Sequence, residues 1–374
     1  MVVGWKEGSA VCRTIRLRSS ADSPGRGLDI VPSFLYNLRM DFIRSRVFAR
    51  AGLIGNPSDG YNGKTITIIV KNFYAQIILH EWDRLEIIPG SSDESDFPSI
   101  HDLAKDVRLH GYYGGIRLIK AAINGFVSYC NDRKLTLPNR NFSLRYQSTI
   151  PRQVGMAGSS AIVVATLRAL KNFYEIDIPK RVLPSLVLSI ERDQLGIPAG
   201  LQDRVAQVYE GCVYMNFANE AMKTEDGFVC GEYEELPVSL LPPLYISYSV
   251  DCSEPTEVFH NNLRFRYDLG EPAVVSAMQH CADLTVRAKD ALLAGNQDLL
   301  PPLLDGNFDI RRSICQLPKE QILMVDTARS CGVSANFAGS GGAIVGTYPD
   351  EATFVKLQDA MEKIGCKTIK PILE

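Results

Sequence analysis

The apolar positions of this chain follow two spacings, one typical of strands and one typical of helices. Apolar residues alternate or run together in four segments of the first half, which predicts strands at 45–55, 64–70, 75–81 and 142–146. After residue 114 the spacing becomes helical, and Ile116, Ile119, Ile123 and Val127 share one face of a predicted helix. A further amphipathic helix is predicted after residue 158.

The second half of the chain also mixes helices and strands. Helices are predicted at about 272–294, 298–312 and 318–331, and a strand, a helix and a last strand follow residue 343. Because strands and helices interleave without a regular βαβ repeat, the pattern favours an α+β fold over a doubly wound sheet.

Two features divide the chain into regions. Residues 1–40 are rich in Arg and Ser and lack apolar periodicity. We predict that these residues are a disordered extension, or that translation starts at Met40 and the given start lies upstream of the true one. An organelle transit peptide has a similar composition and is the less favoured interpretation. A double proline at residues 242–243 precedes a new strand and predicts an N-terminal domain at 41–240 and a C-terminal domain at 241–374.

Composition and charge narrow the classes of function. The formal charge of −3 and pI near 6.0 argue against a general nucleic-acid or membrane-surface partner, since both need clustered positive charge. No apolar run approaches the roughly 20 residues that span a bilayer. The nine cysteines include no CxxC pair, which indicates reduced thiols in a cytoplasmic protein. The oligomeric state cannot be read from the sequence.

A Gly/Ser loop at residues 150–160 joins a predicted strand to an amphipathic helix. Such a loop leaves backbone N–H groups unpaired at the positive end of the helix dipole, where phosphate binds. Ser159 and Ser160 add hydroxyls that can cap the helix, contact phosphate or ligate Mg²⁺. The loop is not a Walker A sequence, because GxxxxGK[ST] is absent. A helix capped after a glycine turn is the plain structural alternative.

The order of three segments resembles the GHMP kinases. PRQVGMAGSSA (151–161) is similar to the family's phosphate loop, P-x-x-x-G-L-x-S-S-A, with Met156 in place of Leu. ARAGLIGNPSDGYNG (49–63) resembles the first family motif and NFAGSGGAIVG (336–346) the third. The resemblance covers about 44–374 and implies a two-domain α+β fold with the active site in a cleft between the domains.

The resemblance also implies ligands and the residues that bind them. ATP is the expected phosphate donor and Mg²⁺ the expected metal ion, held by Ser160 and by Glu191 in SIERDQLG. The alternative for Glu191 is a solvated helix residue. The expected nucleotide-binding residues are Pro151, Gly155, Met156, Ala157, Gly158, Ser159, Ser160 and Ala161.

The catalytic residues implied by the resemblance are Asp203 and Arg50. AGLQDRVAQVYEG (199–211) resembles the segment that contains the family's catalytic aspartate, and Arg50 precedes Gly55 by five residues, where the family has Arg or Lys. A carboxylate can accept or orient the hydroxyl proton of a sugar, and the resemblance leaves both roles open. Asp203 has the alternative role of a helix N-cap.

The resemblance also bears on the sugar that is bound. Asp59 occupies the position at which galactokinases contact sugar hydroxyls, and Gly339, Ser340 and Gly341 of the third motif are expected beside the substrate. The sequence GNPSDGY departs from the galactokinase form GEHTDY. It instead resembles the glucuronokinases, which make D-glucuronate 1-phosphate for UDP-glucuronate synthesis. Four further segments share this resemblance: GYYGGIRL (111–118), AGLQDRVAQVYEG (199–211), LLPPL (240–244) and NFDIRR (307–312).

A uronic acid requires a cation for its carboxylate, and guanidinium groups bind carboxylates through two parallel hydrogen bonds. The candidates are Arg117, Arg204, Arg311 and Arg312, among which the sequence does not choose. The rival hypotheses are a kinase for galacturonate, arabinose, galactose or a heptose phosphate, and a catalytically silent sugar sensor. The intact set Arg50, Ser160, Glu191 and Asp203 argues against the sensor.

Overall fold

The computed structural model describes residues 41–89, 114–250 and 257–374, with side chains in the last range from residue 263 onward. The predicted extension at 1–40 and the first residues of the segment at 111–118 lie outside the described residues. Residues Met40–Glu374 form one compact unit, and the domain boundary near residue 240 stays a prediction. Among the described helices, none has the length and apolar character needed to span a bilayer.

A six-stranded sheet is built from the chain before residue 240. Its strands are β1 (Ile43–Ile54), β2 (Lys64–Trp82), β3 (Glu86–Ile88), β4 (Asn141–Ser148), β5 (Cys212–Asn216) and β8 (Glu232–Leu236). The order is β3-β4-β2-β5-β8, and β1 pairs with β2. All pairs are antiparallel except β3 with β4. A separate hairpin contains β6 (Lys223–Glu225) and β7 (Phe228–Cys230).

Strand β2 is longer than the sequence pattern predicts. The predicted strands at 64–70 and 75–81 are one continuous strand of 19 residues, so their separation is wrong. β1 pairs with both halves of β2, with a register shift between Phe48 and Ala49. Residues 64–68 of β2 pair with β5, and residues 75–82 pair with β4. Residues 71–73 lie at this register shift, have no partner among the described strands and have half-buried side chains. The backbone N–H of Lys71 instead donates to Ile372 O at 2.8 Å.

The described helices of this half pack around α2. They are α1 (Gly115–Asp132), α2 (Gly158–Tyr174), α3 (Leu183–Ser189) and α4 (Gln202–Tyr209), and a π-helical turn, Ile190–Gln194, extends α3. α2 contacts α1, α4, β1 and β2, and it is buried from Ser160 to Leu167. Packing on all sides fixes the N-terminus of α2, where the Gly/Ser loop ends.

Residues 241–250 and 257–374, the described part of the second half, contain a four-stranded sheet and five helices. The strands are β9 (Leu244–Ser249), β10 (Asn336–Phe337), β11 (Ala343–Thr347) and β12 (Cys366–Ile369), in the order β10-β11-β9-β12. The helices are α5 (Glu257–Asp268), α6 (Pro272–Leu293), α7 (Leu300–Ile314), α8 (Lys319–Ser330) and α9 (Glu351–Glu362). Phe308 of α7 packs edge-on against Phe337 of β10, with ring centroids 5.1 Å apart. This contact fixes α7 beside the loop that follows β10.

Candidate active site

The side chain of Arg50 joins the three motif segments. Arg50 lies on β1 with 5% of its surface exposed. Its Nε donates to Asp203 Oδ1 at 2.7 Å, and its Nη1 donates to the carbonyl of Ala338 at 3.0 Å and to that of Gly155. The backbone of β1 adds a bond from Gly52 N to Ala338 O at 2.7 Å. The structure therefore places the first motif, the Gly/Ser loop, the third motif and Asp203 around one guanidinium group.

The Gly/Ser loop ends in an uncapped helix N-terminus. α2 begins at Gly158, and the preceding Ala157 has φ 62° and ψ 42°, an unusual backbone conformation for a residue with a side chain. Within the part of the chain that the structure describes, no side chain caps this helix, which contradicts the alternative of a simple capped turn. The first N–H that bonds back into the helix is that of Ala161, to Ala157 O at 3.1 Å. The amides before it point to an anion-binding site.

The Gly/Ser loop and the third motif touch through their backbones. A Cβ atom at Gly339 would lie 2.2 Å from the carbonyl oxygen of Gly155 and 2.9 Å from Arg50 Nη1. A Cβ atom at Gly155, where φ is +68°, would lie 2.9 Å from the carbonyl oxygen of Gly341. Only glycine permits this approach, so Gly155, Gly339 and Gly341 lie where the two segments meet.

A buried hydroxyl and a buried carboxylate lie just inside α2. Ser160 Oγ donates to Glu191 Oε1 at 3.2 Å, and Glu191 has no exposed surface. The alternative of a solvated Glu191 is therefore wrong. Burial raises the pKa of Glu191, and the Arg204 charge opposes that rise. The π-helical turn at 190–194 turns Glu191 inward, a local irregularity often found at functional sites.

Arg204 connects Glu191 to Asp203. Its Nε donates to Glu191 Oε2 at 2.5 Å, and its Nη1 lies 3.4 Å from Asp203 Oδ2. Burial disfavours the Arg204 charge, but the two carboxylates outweigh this effect and raise its pKa. Asp203 lies in the first turn of α4, after the N-cap residue Leu201, so the N-cap alternative for Asp203 is wrong. Asp203 instead lies between two arginines.

The donor set at Ser160 and Glu191 fits Mg²⁺. Mg²⁺ takes hard oxygen ligands and usually binds through one or two protein groups together with phosphates and water. Residues 41–89, 114–250 and 257–374 contain no cluster of three or more His, Cys, Asp or Glu that would hold an ion by itself. A metal ion at Ser160 and Glu191 would therefore need further ligands from the nucleotide.

Asp59 lies beside the loop that leads into α4. It belongs to the short 3₁₀ helix Ser58–Tyr61, and a Cβ atom at Gly200 would lie 2.7 Å from its Oδ2. The Asp59 side chain is partly exposed. Desolvation, reinforced by the nearby Asp203 charge and opposed by Arg50, raises its pKa to about 7. Asp59 thus lies near the same charged groups as Asp203, but it forms no ion pair with a described arginine.

Helix α7 holds the first and third motifs together, a role that the sequence did not predict. Asn307 is fully buried; its Oδ1 accepts from Gly55 N at 2.6 Å and its Nδ2 donates to Asn56 O at 2.8 Å. One turn later, Arg311 donates to Gly339 O at 2.8 Å. The available signal was the spacing of Asn and Arg in NFDIRR, which puts both on one helix face.

The other predicted site residues lie outside the cluster around Arg50 or contribute only their backbones to it. Arg117 is exposed on α1 and donates to Leu195 O at 2.7 Å. Arg312 is exposed and lies 3.5 Å from Asp326. The side chains of Met156 and Ala161 are in the core, so only their backbones can contact a nucleotide. Pro151 is half-buried in the Gly/Ser loop.

Comparisons with known proteins identify the family. Residues 117–211 match the family model described as the GHMP kinases N terminal domain. The chain is 41% identical over 338 residues to Glucuronokinase 1 of Arabidopsis thaliana, covering 88% of this chain and 91% of that protein. It is 42% identical over 320 residues to Probable glucuronokinase 2 of the same plant, covering 83% and 86%. The chain therefore belongs to the GHMP kinase family.

Within that family, the chain is a sugar kinase, and GHMP kinases use ATP as the phosphate donor. A solved mevalonate kinase matches 89% of this chain and all of its own length with a TM-score of 0.65 at 16% identity, which shows the common fold. The predicted family and the α+β fold are confirmed.

We expect Asp59→Asn to change stability in a pH-dependent way. Because the pKa of Asp59 is raised from 3.8 to about 7, the folded state binds this proton more tightly than the unfolded state. The wild type therefore loses stability as pH rises through this range, whereas the variant has no charge to desolvate. Relative to wild type, the variant's free energy of unfolding in urea should rise by about 1–3 kcal/mol between pH 5 and pH 8.

Asp226→Asn is the control for this measurement. The hydrogen bond from Arg133 lowers the pKa of Asp226 below 3.8, so Asp226 is ionised at both pH values. Its effect on unfolding should be the same at pH 5 and pH 8. An equally constant difference for Asp59→Asn would contradict the raised pKa of Asp59.

Proposed function

We propose that this protein transfers the γ-phosphate of ATP to the C1 hydroxyl of D-glucuronate in an Mg²⁺-dependent reaction. The observation that supports the kinase chemistry is the meeting at Arg50 of Asp203, the Gly/Ser loop and the third motif. The choice of sugar is supported by the two plant relatives, whose names are glucuronokinases.

The nucleotide phosphates would bind at the N-terminus of α2. The backbone amides of Gly158, Ser159 and Ser160 and the helix dipole favour negative charge there. Ser160 and Glu191 would hold Mg²⁺, which when bound neutralises charge on the phosphate oxygens. Arg204 occupies the second oxygen of Glu191 and fixes its orientation.

The sugar hydroxyl would approach Asp203. Arg50 and Arg204 hold the carboxylate of Asp203 from two sides, so its orientation is set before the sugar binds. As O1 of the sugar bonds to the γ-phosphorus, the bond from that phosphorus to the ADP oxygen breaks, and the hydroxyl proton passes to Asp203. Arg50 supplies positive charge beside the transferred group.

The remaining sugar hydroxyls would be bound by Asp59 and by the third motif. Asp59 lies next to Gly200, two residues before the start of α4, and Gly339, Ser340 and Gly341 form the adjoining border. Arg117 and Arg204 are two of the four arginines that the sequence offers for the sugar carboxylate. Arg204 already pairs with Glu191 and Asp203, and Arg117 is exposed.

Substrate preference tests the proposed function directly. We expect kcat/KM for D-glucuronate to exceed that for D-glucose and D-galactose by about 10³, because a neutral sugar leaves a charged site unsatisfied. Phosphorus NMR should place the new phosphate on C1. Equal turnover of galactose would contradict the acid preference, and a preference for D-galacturonate would place the error at the C4 hydroxyl.

Asp203→Asn should reduce kcat by about 10²–10⁴ while ATP still binds, because the amide cannot accept the proton. Calorimetric titration with ATP and steady-state rates with glucuronate measure the two effects. Asp226→Asn, which also alters an arginine-paired aspartate, is the matched control and should keep full activity. A variant within tenfold of wild type would show that Asp203 has no catalytic role.

Ser160→Ala and Glu191→Gln should each raise the Mg²⁺ concentration that gives half-maximal rate, because each weakens an oxygen ligand. A titration of rate against Mg²⁺ at saturating ATP measures the shift. Ser185→Ala, which removes a buried hydroxyl bonded to Val229 O, should leave the Mg²⁺ dependence unchanged. Unchanged dependence in both site variants would remove these residues from the metal site.

A further inference from the structure

Among the buried arginines of the described chain, Arg311 differs from the other two. Arg50, Arg204 and Arg311 are each no more than 5% exposed. Arg50 pairs with Asp203, and Arg204 pairs with Glu191. Within residues 41–89, 114–250 and 257–374, no carboxylate forms an ion pair with Arg311. A buried charge without a counter-ion is costly, so this one calls for an external partner.

The contacts of Arg311 leave donors unused. Nη1 donates to Gly339 O at 2.8 Å and Nη2 to Ser340 O at 3.2 Å, and the guanidinium carbon lies 5.0 Å from the centre of the Phe337 ring. A guanidinium has five N–H donors, so three remain. Burial lowers the pKa of Arg311, the direction expected when desolvation is not offset by an adjacent carboxylate.

Arg311 borders the site that contains Asp203. The residue to which it donates, Gly339, lies so close to Arg50 that a Cβ atom would be 2.9 Å from Arg50 Nη1. Asp59 interacts electrostatically with Arg50 and also with Arg311: Arg50 lowers the pKa of Asp59, and Asp59 raises the pKa of Arg311. A ligand held by Asp59 and Asp203 is therefore within the electrostatic reach of Arg311.

We propose that Arg311 binds the carboxylate of the acidic sugar and thereby determines specificity. This inference rests on the proposed function. Arg204 is occupied by Glu191 and Asp203, whereas Arg117 and Arg312 are exposed, so Arg311 is the described candidate that combines burial with unused donors. A carboxylate could accept two parallel N–H bonds from it, the geometry in which Arg surpasses Lys.

The test compares D-glucuronate with D-glucuronamide, which replaces the charged carboxylate by a neutral amide of nearly the same shape. Wild type should prefer glucuronate by about 10² or more in kcat/KM. Arg311→Gln should lower kcat/KM for glucuronate about 10²-fold more than it lowers that for glucuronamide, so the preference disappears, since any loss from the loop contacts is common to both sugars. Arg312→Gln changes the neighbouring exposed arginine and should preserve the preference.

Ligand-induced thermal stabilisation gives a second measure that does not depend on turnover. Glucuronate should raise the Tm of wild type and of Arg312→Gln, but not that of Arg311→Gln. Arg311→Lys keeps the positive charge but cannot donate two parallel hydrogen bonds, so its kcat/KM should fall about 5–30-fold for glucuronate alone. This variant decides the question if Arg311→Gln fails to fold.

Three results would overturn the inference. A glucuronate preference that persists in Arg311→Gln would show that another group binds the carboxylate. Equal losses on acid and amide would reduce Arg311 to a support for the third-motif loop. A change confined to the KM for ATP would show that Arg311 binds a phosphate of the nucleotide. The wild-type rates test the proposed function separately: if wild type prefers another acidic sugar, the same comparison is made with that acid and its amide.

Discussion

The ion pair between Arg50 and Asp203 is the constraint on which the rest of the site depends. Moving a guanidinium and a carboxylate out of water costs several kcal/mol per ion, and attraction alone rarely offsets this cost. Here the donors of Arg50 also bond the carbonyls of Gly155 and Ala338. Two loops must therefore pack against β1 for the pair to be stable, which explains why the glycines at their contact are required.

The charges around this pair balance almost completely. Arg50 and Arg204 match Asp203 and Glu191, two positive against two negative groups. Asp59 and Arg311 remain without a partner of opposite charge at bonding distance in the described chain, and burial shifts the pKa of each toward its neutral form. Asp59, whose charge is not balanced, can accept hydrogen bonds from hydroxyl groups. Arg311, whose charge is also not balanced, can donate hydrogen bonds to an anion.

The sequence predicted the family and the local secondary structure better than the long-range contacts that join the motif segments. The family followed from three motifs, and the α+β fold from the interleaving of strand and helix patterns. The helices of the second half were placed within a few residues, because 3.6-residue periodicity is a local property. Strands β5 to β8 and helix α5 were not predicted; these strands have five residues or fewer, too short for alternation to show. The bonds of Asn307 join residues about 250 apart, which no local pattern reports. The roles of the site residues remain predictions.

The long strand β2 has a consequence for the order in which the protein folds. β1 and β2 are neighbours in sequence and form a hairpin-like pair, and closing such short loops costs little chain entropy. The bonds from Arg50 to Asp203 and Ala338 instead span 153 and 288 residues. Contacts this distant are the slow ones to form. The β1–β2 pair is therefore expected to form before Arg50 contacts Asp203 and Ala338, whereas the pairing of β2 with β5, Lys64 with Asn216, spans as much of the chain as the ion pair does. The central sheet and the candidate site thus depend on the same long-range contacts, and we expect a chain that lacks one to lack the other.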